Sequence, residues 1–146
     1  MTSQQRLLIG FYAFVSVAAL VATWSQNLQL FSPGGGPFGP FAAFVEATRV
    51  NPASRSITVD IGFFLLAASA FMVIEARRLR VRLVWLYIVF GFLIAISVTF
   101  PLFMIARERR LATLGHVQPA IGAADAIGLA LVGVTVVLVA LWSLFA

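Results

Sequence analysis

Asp60 is the residue in this chain best placed to do chemistry. It falls within an otherwise uncharged stretch, residues 57–74. An ionised carboxylate sunk in apolar surroundings costs about 2.5–3.5 kcal/mol on insertion scales, so such a group pairs, protonates or faces water. Ser56 lies one helical turn earlier on the same face, and Arg107 or Arg109 is the expected partner. Protonated by desolvation, Asp60 could hand a proton to an alkene, with Glu108 or Asp125 as the assisting acid. Left ionised, it could anchor the polar end of a ligand beside Trp24, Asn27, Asn51, Ser56 and Arg107. The sequence does not favour catalysis over binding.

Each of these residues also has a plainer reading. Asp60 could be half of a structural ion pair near a helix start, where the helix dipole favours an acid. Asp125 sits where first-turn capping acids are ordinary. His116 lies in a loop of small and polar residues, where a lone histidine is usually solvated. Glu75 is followed by Arg77 and Arg78 and reads as an ion-paired anchor at an interface. With no cysteine and one histidine, thiolate chemistry is excluded and a zinc or haem site is not expected. No cofactor is expected. Gly34-Gly35-Gly36 lacks the lysine and the following helix of a phosphate loop.

The elements that must position these groups follow from composition. Of 146 residues, 62% are hydrophobic and 10% charged, against roughly 45–50% and 25% in soluble proteins. A water-soluble enzyme, a disordered chain and a coiled coil are excluded, and an integral membrane protein is indicated. The +5 charge comes with ten arginines and no lysine. The arginines sit in short runs beside apolar stretches, so lipid head groups and topology explain them better than nucleic acid does.

Four segments suit the ~20 residues a bilayer core requires: residues 7–24, 57–76, 83–106 and 126–146. Residues 77–82 make a tight basic turn between the second and third. Residues 32–37 make an irregular Pro/Gly turn. Residues 38–50 place Phe41, Phe44 and Val45 on one face of a short interfacial helix. Asn51-Pro52 is an N-cap and first-turn pair for the next long helix. Tyr12, Ser16, Ala19 and Thr23 share one small, polar face of the first span. Asp125, Gly128, Val132, Thr135, Val139 and Trp142 share one on the fourth. In membranes such faces normally pack against helices. Pro101 can kink the third span, and Trp24, Trp85 and Tyr87 suit an interfacial belt.

Four crossings would leave five arginines on each side. The N-terminal amine and the compact basic turn favour both termini in the cytoplasm. They would also gather four of the five acids at the end bearing the long first connection, as a polar cavity or wet vestibule there.

Asn51-Pro52-Ala53-Ser54, Ser56, Asp60, Glu75-Ala76-Arg77-Arg78, Phe100-Pro101-Leu102-Phe103 and Arg107-Glu108-Arg109-Arg110 occur in that order. This combination resembles a bacterial membrane family known as domain of unknown function 2834, over roughly residues 7–111. The resemblance implies a small multispan bacterial protein and supplies no activity; a bacterial inner membrane is the expected location. A looser, architectural likeness is to four-span sterol-isomerase and sigma-2-receptor-like proteins and to membrane terpene cyclases, which receive isoprenoids.

The expectation is therefore an all-α integral membrane four-helix bundle with a short interfacial helix in the first connection. It would bind an isoprenoid or lipid in a polar-ended pocket, with acid-catalysed isomerase or cyclase activity left open. The alternative is an accessory or structural subunit of a larger membrane complex, joined to a protein partner or to copies of itself.

Overall fold

The computed structural model describes residues 1–31, 36, 38–115 and 121–145. His116, most of the Pro/Gly turn (residues 32–35 and 37) and Ala146 at the end of the fourth expected span lie outside them. The described residues form an all-α bundle of six helices, α1 Ser3–Asn27, α2 Gly39–Ala47, α3 Pro52–Leu79, α4 Val84–Leu93, α5 Ile96–Thr113 and α6 Ala123–Phe145, with one 3₁₀ turn at Leu28–Leu30. By length and composition, α1, α3 and α6 can each cross a membrane, which suggests an integral membrane protein.

Local chemistry sets the helix ends. Thr2 and Gln5 form a reciprocal capping box at the start of α1: the Gln5 N–H donates to Thr2 Oγ1 at 3.2 Å and the Thr2 N–H to Gln5 Oε1 at 2.8 Å. Asn51 caps α3 by accepting from the Ser54 N–H at 2.8 Å, and Pro52 holds its first position. Arg80 ends α3 in the left-handed region, with φ of 55°. Its N–H and that of Val81 both reach the Ala76 carbonyl.

The apolar stretch 83–106, expected to be a single crossing, is two helices. α4 ends at Leu93, and Ala95 is fully extended at φ 179° and ψ 141°. α5 then runs back alongside α4. Tyr87 packs on Phe103, and the Cα of Gly91 faces Thr99 and Ile96. Against α3, α5 is parallel, as successive contacts show: Phe71 with Phe100 and Phe103, Glu75 with Arg107, and the Leu79 carbonyl with Arg110. At 1.5 Å per residue α4 rises only about 15 Å, half a hydrocarbon core. Pro101 is accommodated inside α5. The hairpin thus returns residues 107–110 to the end of the bundle occupied by the basic turn, not to the end where Asp60 sits.

The core lies between α3, α4 and α5. Leu65, Ala68, Met72, Ala76, Val84, Ile88, Ile96 and Phe103 form one buried cluster, with Met72 and Phe103 wholly enclosed. α1 packs antiparallel along α5, where Ser16 Oγ donates to the Val98 carbonyl at 3.0 Å. Further along, Tyr12 comes within electrostatic reach of Arg107 and Glu108. α6 buries none of its described residues. α2 buries none either, and leaves Phe41 and Phe44 exposed.

Candidate functional site

Charged side chains converge where α3 ends, α4 begins and α5 finishes. Glu75 lies in the last turns of α3, where the helix dipole disfavours an acid, and two guanidinium groups offset this. Arg78 grips it through two bonds, Nε to Oε2 at 2.7 Å and Nη2 to Oε1 at 2.6 Å. Arg107 donates from Nε to Oε1 at 2.7 Å, and from Nη1 to Glu108 Oε1 at 2.8 Å. Glu108 is almost wholly buried. Arg110 Nε donates to the Leu79 carbonyl at 2.9 Å, satisfying one of the acceptors that a helix end leaves open. This network fastens the returning α5 to α3.

Beside it a cleft of about 890 Å³ opens between the basic turn and α5. It is lined by Ala76, Arg77, Arg80, Val81, Arg82, Leu83, Val84, Trp85, Leu86 and Arg110. A second cleft of about 500 Å³ shares Arg80, Arg82 and Arg110 and adds Arg109 and Thr113. No acid lines either cleft. Glu75 and Glu108, which pack beside the clefts, are engaged by Arg78 and Arg107. The first cleft therefore joins a row of guanidinium donors to an apolar wall of Leu83, Trp85 and Leu86, all substantially exposed. Such a surface can bind an anion through forked, charge-assisted hydrogen bonds. Among the described residues, no three His, Cys, Asp or Glu side chains gather in the manner of a metal site.

Of the expected site residues, only Arg107 and Glu108 lie here. The expected reach of Arg107 to Asp60 is not made, since Glu75 holds that guanidinium instead. Asp60 is exposed on α3, 15 residues and so about 22 Å before Glu75. Asn51 and Ser56 lie beyond it at the same far end, and Asn51 is occupied as a cap. Trp24 and Asn27 are half-buried at the end of α1, and Asp125 is exposed on α6. The polar groups that the structure buries and pairs lie opposite the end expected to hold them. Arg80, Arg82 and Trp85 entered the expectations only as turn and belt residues. Four arginines within residues 77–82 mark a basic turn in the sequence, but nothing there shows that Arg109 and Arg110 return to it.

The architecture is that of a small all-α protein with three helices able to cross a membrane and a helical hairpin set among them. Residues 11–109 match the model of a family described as protein of unknown function DUF2834, and the chain belongs to that family. The match takes in most of α1, all of α2, α3 and α4, and α5 as far as Arg109, and it stops before α6. No curated protein and no solved structure matches the chain.

Proposed function

We propose that this chain is an integral membrane protein that binds a hydrophobic ligand, an isoprenoid or lipid, with the ligand's polar end in the arginine-lined cleft. The observation that carries the reading is the cleft itself: guanidinium groups unopposed by any acid beside an exposed tryptophan and two leucines. Pockets that hold small ligands are mostly apolar with a few placed polar groups, and this one has that composition at about the usual volume. Arg107 keeps a part in the reading by fixing α5 in place. Asp60, Asn51, Ser56, Trp24 and Asn27 lie at the far end and have none, and Asp125 has none on α6. An acid-catalysed isomerisation or cyclisation would require a carboxylic acid facing the ligand. Glu75 and Glu108 are held by Arg78 and Arg107 instead, so binding is the better-supported reading.

The same geometry supports an orientation. Arg6, Arg77, Arg78, Arg80, Arg82, Arg107, Arg109 and Arg110 fall at one end of the bundle, and only Arg49 and Arg55 at the other. The excess of arginine favours the first end in the cytoplasm of a bacterial inner membrane. With the α4–α5 hairpin re-entering on that side, α1, α3 and α6 make three crossings. Met1 is then cytoplasmic and the end of α6 is not, in place of two cytoplasmic termini. Native mass spectrometry of the gently extracted full chain tests the ligand reading: a retained hydrophobic molecule supports it and a bare chain opposes it. A chain that carries no cysteine also suits cysteine accessibility. Cysteines at Thr113 and Arg80 should label from the cytoplasm, and one at Thr48 from the opposite side.

A second reading, an accessory subunit of a membrane complex, is favoured by α6, which is apolar all round and buries nothing against the rest of the chain. A partner chain retained in the same mass spectra would support it.

A further inference from the structure

We infer that the ligand head group in the arginine cleft is a phosphate: the site takes an anionic phospholipid from the leaflet at the basic end of the bundle. This rests on the ligand-binding reading and specifies its chemistry. Arg77, Arg80, Arg82 and Arg110 share one cleft wall with no carboxylate among its lining residues. Four like charges so confined repel one another unless an anion joins them, and planar guanidinium forks match phosphate oxygens two at a time.

The backbone of the turn holds these arginines in place. Arg80 and Leu83 both hold positive φ, 55° and 61°, where they cap the end of α3 and the start of α4. These two residues bound the segment that carries Arg80 and Arg82 to the cleft and turns Leu83 and Trp85 to its edge. Exposed Leu83, Trp85 and Leu86 continue the cleft as apolar surface, which suits acyl chain and glycerol backbone but not a free soluble phosphate. Basic pockets between membrane helices on the cytoplasmic side are the ordinary receptors of anionic head groups.

The test uses the full chain in mild detergent, titrated with phosphatidylglycerol or phosphatidylcholine and read by native mass spectrometry. Phosphatidylglycerol should be retained at least about tenfold more tightly than phosphatidylcholine, and added salt should weaken it. R80Q/R82Q, at two exposed turn positions, should abolish that preference with helical circular dichroism and melting temperature unchanged. R49Q/R55Q, at the other end, should keep it. Should R80Q/R82Q fail to fold, R77Q alone should still lower the preference severalfold. Equal retention of both lipids, or a preference that survives R80Q/R82Q, overturns the phosphate assignment. Full displacement by millimolar glycerol 3-phosphate overturns the lipid source in favour of a soluble phosphate. Retention of a neutral isoprenoid or lipid alone overturns this inference and leaves the broader ligand reading standing. Retention of nothing overturns both.

Discussion

Arg107 and Glu75 meet at 2.7 Å across 32 positions of sequence, joining the middle of α5 to the last turns of α3. Both side chains are largely enclosed, at 17% and 10% exposure. Removing Arg107 takes the cation from buried Glu108 and leaves Glu75 to the exposed Arg78, a loss of about 3 kcal/mol. Arg107→Gln should therefore lower unfolding free energy in mixed micelles by that order. Arg78→Gln should cost far less, because Arg78 is 54% exposed. A double-mutant cycle between residues 75 and 107 should give a coupling well above that between 75 and 78.

α4 and α5 approach closely at Gly91. A methyl group there would stand 3.0 Å from Thr99 Oγ1 and 3.4 Å from both Ile96 Cδ1 and Leu65 Cδ1. Gly91→Ala should destabilise the chain by about 1–3 kcal/mol through overpacking. Gly128→Ala, on α6 with open space around it, should be neutral or gain up to about 1 kcal/mol in helix propensity. Thermal unfolding of the two variants separates the cases.

Leu83 bears its positive φ with a 70% exposed side chain, so packing returns little for the backbone cost. Leu83→Gly should raise stability by up to about 1 kcal/mol in a melting experiment. It should also weaken lipid retention, since a segment free to leave the left-handed region no longer holds Arg80 and Arg82 in place.

Asp60→Asn should change unfolding free energy by no more than about 0.5 kcal/mol, as expected for an exposed group. Lipid retention should be unchanged as well. A large loss of either would return Asp60 to the site.

Sequence reading reached the elements better than their arrangement. The capping pair Asn51-Pro52, the short helix after the Pro/Gly turn, the basic turn and the three long apolar helices are all local, and propensity and periodicity reveal them. The hairpin is not local. Residues 91–97 read Gly-Phe-Leu-Ile-Ala-Ile-Ser, with neither proline nor glycine at the reversal itself, so nothing in the composition separates α4 from α5. What selects the fold-back is tertiary: a cation for Glu75, an aromatic partner for Phe71 and Tyr87, and space beside Gly91. That one reversal moves Arg107 and Glu108 from the end expected for them to the other. The expected cluster around Asp60 therefore dissolves, and another forms around Glu75. Ser16 was legible as part of a packing face, though not its acceptor, the Val98 carbonyl.

The reversal at Ile94 and Ala95 interrupts the helical ladder about 15 Å from the start of α4, amid apolar residues where bare peptide groups need internal partners. The Ala95 carbonyl is taken up by the N–H groups of Val98 and Thr99, and α1 lies along the start of α5 with Ser16 against it. α1 is thus a shelter on which a much later segment depends. Until α1 is in place, the face of α5 around Val98 lacks that cover. Assembly in the order of synthesis provides that cover in time, and a chain begun after α1 would not.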